Sequence, residues 1–270
     1  MAYLYFKQSK LKVDRTMKLR TLGCSGGIGG NLRTTSFLLD HDVLIDAGTG
    51  AGELSLTELS MIDHVFVTHS HLDHITSIPF MVDSVGFMRD RPLTVYATEE
   101  TLDILKQHMF NWKIWPDFTR IPNAQKPFMR YQSMELGETV VLNGRKITAI
   151  PANHVVPAVG YHLDSGNASL VFSGDTAAHD ASWEVINKIQ NLRYLIIETA
   201  FSNSEKELAI VSKHLCPSML AEELKKFQRD AEVFITHLKP GEVELTMQEI
   251  ESSVHGRCPT MLLNNQEFEL

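Results

Sequence analysis

The stretch Val65-Phe66-Val67-Thr68-His69-Ser70-His71-Leu72-Asp73-His74 decides how this 270-residue chain is read. Val65–Thr68 has the pattern of a strand buried on both faces. It runs directly into four side chains of ligand type: His69, His71, Asp73 and His74. In extended backbone, residues two apart share a side, so His69 and His71 can face one ion together. Asp73 and His74 come where the chain turns towards a helix, and can face a second. Imidazole and carboxylate suit borderline cations such as Zn²⁺, Fe or Mn²⁺. A merely solvated loop explains the run poorly, because so dense a polar cluster after a buried strand is costly without a purpose.

Working outward, three more candidates stand at the ends of apolar runs. His154 follows Lys146–Ile150, Asp175 follows Leu170–Phe172, and His237 follows Val233–Ile235. Each alone reads as an ordinary turn or surface residue; their shared position is what sets them beside the first four.

The remaining pattern alternates short strands with helices. Strands are predicted at Leu19–Leu22, Ser36–Asp40, Val43–Asp46, Leu93–Ala97, Lys146–Ile150, Ala158–His162, Leu170–Ser173, Tyr194–Ile197 and Val233–Thr236. A hairpin is expected about Asp40-His41. Helical spacing covers Ile75–Val85, with Pro79 near its start or disturbing its middle. It also covers Glu99–Phe110 with Thr98 as cap, Ser182–Asn191, Pro217–Gln228 and Leu245–Ser252. Asn111–Pro127 is too irregular for a regular element, and its aromatics either line a pocket or roof the core. Strands come early in each half and helices follow. That order fits two mixed β-sheets packed face to face with helices outside. Residues 17–270 are read as one domain, and residues 1–16 as an N-terminal extension.

Composition narrows the partners. The net charge of −8 is a poor match for a generic polyanion binder, since duplex binding rests on Lys and Arg neutralising many phosphates. No apolar run approaches a membrane span, and the N-terminus lacks a signal-peptide pattern. Cys24, Cys216 and Cys258 are odd in number, with no C-x-x-C. They read as reduced thiols of a cytoplasmic protein. Gly23–Gly30 lacks both G-K-[S/T] and G-x-G-x-x-G, and reads as a tight loop near the site rim. Asp46 is a candidate for buttressing the metal loop, with a structural turn role as the alternative.

The H-x-H-x-D-H run followed by separate His, Asp and His resembles the metallo-β-lactamase superfamily, over about Leu19 to Gly241. The resemblance implies an α/β fold, a four-layer αβ/βα sandwich with two metal ions at one edge. Carried over by motif, His69, His71 and His154 would hold one ion, Asp73, His74 and His237 the other, and Asp175 would bridge them. The cofactors implied are two divalent or transition metal ions, Zn, Fe or Mn. Within the superfamily the chain is similar to the class II cyclic-nucleotide phosphodiesterases. The likeness lies in Thr21–Gly27, Thr34–Leu39, Ile45–Gly50, His69–Ser77 and Phe110–Phe118. It departs at Pro79, where that family usually has an aliphatic residue.

The second half also looks like tRNase Z. Ile197-Glu198-Thr199-Ala200-Phe201 and Lys213-His214-Leu215-Cys216-Pro217 match segments that there deliver a proton to the leaving group, although Ile197 stands where the relative has His. The carry-over makes Glu198 and His214 a proton relay; the plain alternative is a turn cap and a residue before a helix. Asp73, His214 and Glu198 are the catalytic residues this implies. The implied reaction is opening of a 3′,5′-cyclic nucleotide, cyclic AMP in the first instance, to the 5′-monophosphate by a hydroxide bridging two metals. Asn111, Trp112 and Trp115 would contact base or ribose. The expected partner is therefore a small-molecule cyclic nucleotide rather than a nucleic acid or a membrane, and a homodimer is compatible with this reading. The rivals are a tRNase Z-type endoribonuclease, another hydrolase of the fold such as a thioesterase or lactonase, and a non-catalytic scaffold.

Overall fold

The computed structural model describes residues 16–270, so the expected extension, Thr16 apart, lies outside the described residues. Two seven-stranded sheets stand face to face. The first contains β1 (Lys18–Gly23), β2 (Ser36–Leu39), β3 (Val43–Ala47), β4 (His64–Phe66), β5 (Leu93–Ala97), β6 (Met129–Ser133) and β14 (Glu267–Glu269), in the order β14-β1-β2-β3-β4-β5-β6. The second contains β7 (Thr139–Leu142), β8 (Arg145–Pro151), β9 (Val159–Asp164), β10 (Ser169–Phe172), β11 (Leu192–Glu198), β12 (Glu232–Thr236) and β13 (Thr260–Met261), in the order β13-β12-β11-β10-β9-β8-β7. Each sheet is antiparallel at one end and parallel at the other. The parallel pairs are β3 to β6 in the first sheet and β10 to β13 in the second. The helices are α1 (Leu56–Met61), α2 (Leu72–Ile75), α3 (Ser77–Val85), α4 (Glu99–His108), α5 (Asp180–Ile186), α6 (Lys206–Ser212), α7 (Pro217–Leu224) and α8 (Val243–Ser253).

Side-chain alternation builds the layers. On β3, Val43 and Ile45 enter the core between the sheets, while Leu44 faces outward. There Leu44 joins Ile78 and Val82 of α3 and Leu102 and Leu105 of α4. On β11, Tyr194 and Ile196 point inward, whereas Leu195 and Ile197 meet Trp183, Leu220 and Ile250 from α5, α7 and α8. Strands buried on both faces read as continuous apolar runs, which is why these central strands were legible. The result is the four-layer αβ/βα sandwich. At the far side of the sandwich Arg145 of β8 donates to both oxygens of Asp42 and, at 3.2 Å, to Asp40 in the β2–β3 turn, clasping the two sheets together.

Several boundaries move. Pro79 falls in the first turn of α3, where its missing N–H costs nothing, and Thr76 separates α2 from α3. The helices expected at Ser182–Asn191 and Pro217–Gln228 end earlier, at Ile186 and Leu224. Both ends are tied by one side chain: Asn187 donates to Lys226 O at 2.9 Å and accepts from Gln228 N at 2.8 Å. Thr98 caps α4 as expected, accepting from Thr101 N.

Candidate metal centre

Parallel strands of both sheets, β4, β10, β11 and β12, together with the antiparallel β8, deliver their C-terminal ends to one place. His69 follows β4, His154 follows β8, Asp175 follows β10, Glu198 ends β11 and His237 follows β12. The seven predicted ligands come together there as two groups. One contains His69, His71, His154 and Asp175; the other contains Asp73, His74, Asp175 and His237. Within each group, one donor atom per residue lies within 4.8 Å of the others, and Asp175 belongs to both. Asp175 Oδ2 is 3.3 Å from His237 Nε2 and 3.7 Å from His69 Nε2, and Oδ1 is 3.4 Å from His74 Nε2. Asp73 Oδ2 is 3.7 Å from His237 Nε2 and 3.9 Å from His74 Nε2. His69, His74, His154, Asp175 and His237 are buried, while His71 and Asp73 are half-buried.

The hydrogen-bond partners of the imidazoles fix which nitrogens are free. Asp46, fully buried, accepts from the Thr68 backbone N–H and hydroxyl at 2.8 Å each, and from His74 Nδ1 at 2.7 Å. The Thr68 hydroxyl proton is thereby committed to Asp46, so this oxygen accepts from His69 Nδ1 at 2.9 Å. His154 Nδ1 donates to Lys213 O at 3.0 Å. In all three rings the proton sits on Nδ1, and Nε2 presents a lone pair to the cluster. Nε2 of His69 and His74 and both ring nitrogens of His237 are buried without a hydrogen-bond partner. His154 Nε2 meets His71 Nδ1 at 3.1 Å. Each buried polar atom left unpaired costs about 1–3 kcal/mol. Lone pairs converging on carboxylate oxygens repel unless a cation stands between them. The donor set therefore fits two metal ions sharing Asp175, and the site is capable of binding metals.

Electrostatics favour the neutral ring at two ligands and not at a third. Burial drives the His237 imidazole down to about 3 and that of His154 down to about 4, the neutral state a ligand needs. Burial opposes protonation of His74, but the Asp175 and Asp46 carboxylates outweigh it and raise this imidazole well above its ordinary value, so a cation at Nε2 would displace a proton there. Burial opposes ionisation of Asp175, but its interactions with the surrounding imidazoles, His237 and His74 foremost, outweigh it and hold its carboxyl well below the usual range.

The backbone around the cluster is unusual. Asp46 and His237 both have left-handed φ, 55° and 65°. Such conformations cost non-glycine residues energy and gather at functional sites. Gly48 and Gly26 pack directly against the ligand loops: a Cβ would fall 2.1 Å from Asp73 O and 2.4 Å from His237 O, respectively. The glycine-rich loop thus abuts the site, as expected, and shapes it by close backbone contact. Cys24 in that loop donates to Leu262 O at 3.3 Å, and burial pushes its thiol up to about 12, which disfavours the thiolate.

The expected relay pair also forms. His214 Nδ1 lies 2.8 Å from Glu198 Oε1, and both side chains are buried. Glu198 also accepts from Thr176 N at 3.1 Å and Leu215 N at 3.4 Å. The His214 ring is stacked on His237 at 5.1 Å and sits edge-on to His154 at 4.9 Å, which puts it against a ligand of each group. Burial lowers the His214 pKa, but the charge of Glu198 overrides this and raises it.

The aromatic segment is placed differently. The Asn111 side chain closes a turn: it donates to Gln107 O at 2.8 Å and accepts from Lys113 N and Ile114 N. Trp115 packs edge-on against Phe80 of α3 at 5.2 Å, and Trp112 is exposed. Among the described residues, no hydrogen bond or ring contact joins these three to the His/Asp cluster. Sequence reading did not single out Thr68, Gly26, Gly48 or Lys213. The only sequence signal for Thr68 was that Thr precedes His at both Thr68-His69 and Thr236-His237.

Comparison with known proteins follows the same line. A family model described as a beta-lactamase superfamily domain matches residues 41–238. The chain belongs to the beta-lactamase superfamily. A probable 3′,5′-cyclic-nucleotide phosphodiesterase of Yersinia pestis is 27% identical over 81% of this chain and 77% of its own length. A ribonuclease Z of Haloarcula marismortui is 28% identical over 61% of this chain and 53% of its own length. The endoribonuclease YSH1 of Yarrowia lipolytica is 25% identical over 59% of this chain, which spans only 21% of that protein. The crystal structure of unliganded yeast PDE1 superposes with a TM-score of 0.78 at 17% identity, covering 94% of this chain and 99% of that one. At this identity the superposition speaks for the fold.

A superfamily site of this kind depends on outer partners. Asp46→Asn keeps the left-handed backbone, which Asn tolerates, but replaces the anion that orients His74. Metal affinity measured by chelator competition should fall about 10–100-fold. Wild-type affinity in this variant would reduce Asp46 to a turn residue.

Proposed function

We propose that the protein is a two-metal phosphodiesterase that hydrolyses 3′,5′-cyclic nucleotides to 5′-monophosphates. The observation that carries this reading is the buried His214–Glu198 pair standing against His154 and His237. Phosphodiester cleavage expels an alkoxide, which needs a proton as it leaves, and the pair supplies an acid where the two ligand groups meet. His69, His71 and His154 would hold one ion, Asp73, His74 and His237 the other, with Asp175 shared. When bound, such ions supply Lewis acidity at phosphoryl oxygens and lower the pKa of water.

The chain's own groups do the rest. Glu198, held by two backbone N–H groups, accepts from His214 Nδ1, so the exchangeable proton is carried at Nε2. Asp73 is the most exposed carboxylate of the cluster and faces the incoming substrate. The 27% identical phosphodiesterase relative supports the cyclic-nucleotide substrate; the ribonuclease relatives keep an endoribonuclease as the second reading.

The test is a substrate panel on metal-loaded protein: cyclic AMP, cyclic GMP, a precursor tRNA and a thioester. The proposal expects 5′-monophosphate from a cyclic nucleotide and no processing of the tRNA. Cleavage of the precursor alone would favour the second reading, and thioester hydrolysis alone would defeat both.

A further inference from the structure

Lys213 adjoins His214 in sequence and bonds the Asn153–His154 loop, and its backbone is strained. It ends α6 in the left-handed region with φ 53°, where a non-glycine residue is strained. Its carbonyl accepts from His154 Nδ1 at 3.0 Å. Its ammonium reaches back 3.0 Å to the His154 carbonyl and 3.1 Å to Asn153 Oδ1. Among the described residues it makes no ion pair; its charge is spent on these two oxygens. The next residue is His214, whose Nδ1 is held by Glu198.

We infer that Lys213 is a positioning residue that clamps His154 from both ends as a metal ligand and sets its distance from the His214 ring. The backbone carbonyl fixes the His154 tautomer, leaving Nε2 free towards His71. The ammonium pins the loop Asn153-His154 from the opposite side. A purely structural helix end would be served better by glycine, which adopts positive φ without steric cost. Lysine at this position therefore trades local backbone ease for the two side-chain bonds. The inference rests on the site binding metal, and not on the identity of the substrate.

The experiment follows from that trade. Lys213→Gly keeps the left-handed backbone and the carbonyl but deletes the ammonium. Zn²⁺ affinity is read by chelator competition, beside the melting temperature of the metal-free protein. The expected result is Zn²⁺ affinity reduced about 10–100-fold, the range for outer partners of metal ligands, with a melting temperature equal to or above that of wild type. Lys213→Arg, which retains a cationic donor, should recover most of the affinity. Wild-type affinity in Lys213→Gly would overturn the assignment. A fall in affinity matched by a fall in metal-free melting temperature in Lys213→Gly, with no recovery in Lys213→Arg, would also overturn it, by making the role structural. Failure of the wild-type protein to take up Zn²⁺ would overturn the metal reading together with this one.

Discussion

Replacing Asp175 by Ala is expected to abolish the paired character of the site: metal content should fall from about two ions per chain to one or fewer, and turnover by about 10³ or more. Among the described residues Asp175 alone is common to both donor groups, and its carboxylate is within 3.7 Å of an imidazole nitrogen from His69, His74 and His237. Removing it takes an anionic ligand from each ion at once. Lewis-acid stabilisation of phosphoryl charge is worth several kcal/mol, and each 1.4 kcal/mol is about a factor of ten. The fold should survive, because Asp175 lies in the loop after β10 and not among the packed apolar layers. Elemental analysis together with kcat on a cyclic nucleotide checks this. A variant that keeps two ions would show that Asp175 is not shared.

Replacing His214 by Ala is expected to lower turnover about 10²–10⁴-fold, the range for a positioned general acid, with metal content unchanged. His214 is in neither donor group, so its loss should leave both ions in place. A second readout separates acid catalysis from disturbed packing against His154 and His237. A substrate that expels 4-nitrophenolate needs little protonation of its leaving group. On bis(4-nitrophenyl) phosphate the deficit should therefore shrink to within about tenfold. An equal deficit on both substrates would make His214 a packing residue. Glu198→Gln should reproduce a weaker form of the same pattern, since Gln can hold the ring but not stabilise its charge.

Much of this was legible in the sequence, for physical reasons. Val65–Thr68 and Tyr194–Ile197 read as strands because the strands they mark are covered on both faces and show unbroken apolar runs. Six of the seven donors were legible because they follow such strands; His154 instead follows β8, whose alternating burial marks a strand with one partly exposed face. β6, β7, β13 and β14 were not predicted: Met129–Ser133 and Thr139–Leu142 are half-exposed edge strands, and Thr260–Met261 and Glu267–Glu269 are too short to carry a period. Asp46 was singled out, yet nothing local shows that its carboxylate crosses to Thr68 and His74. Lys213 was hidden because its importance lies in a backbone carbonyl and a left-handed φ, neither of which composition reveals. Cys24 sits among glycines where a reactive thiol is easily imagined, whereas its surroundings raise the thiol pKa and disfavour the thiolate.

If the seven donors hold two ions and the protein opens a cyclic phosphodiester, occupancy and turnover must rise together. The most direct measurement titrates Zn²⁺ or Mn²⁺ into metal-free protein while following bound metal and cyclic AMP turnover together. Turnover that rises with occupancy and saturates at about two ions per chain, with 5′-AMP as product, is the predicted result. Full occupancy without hydrolysis of any 3′,5′-cyclic nucleotide would contradict it.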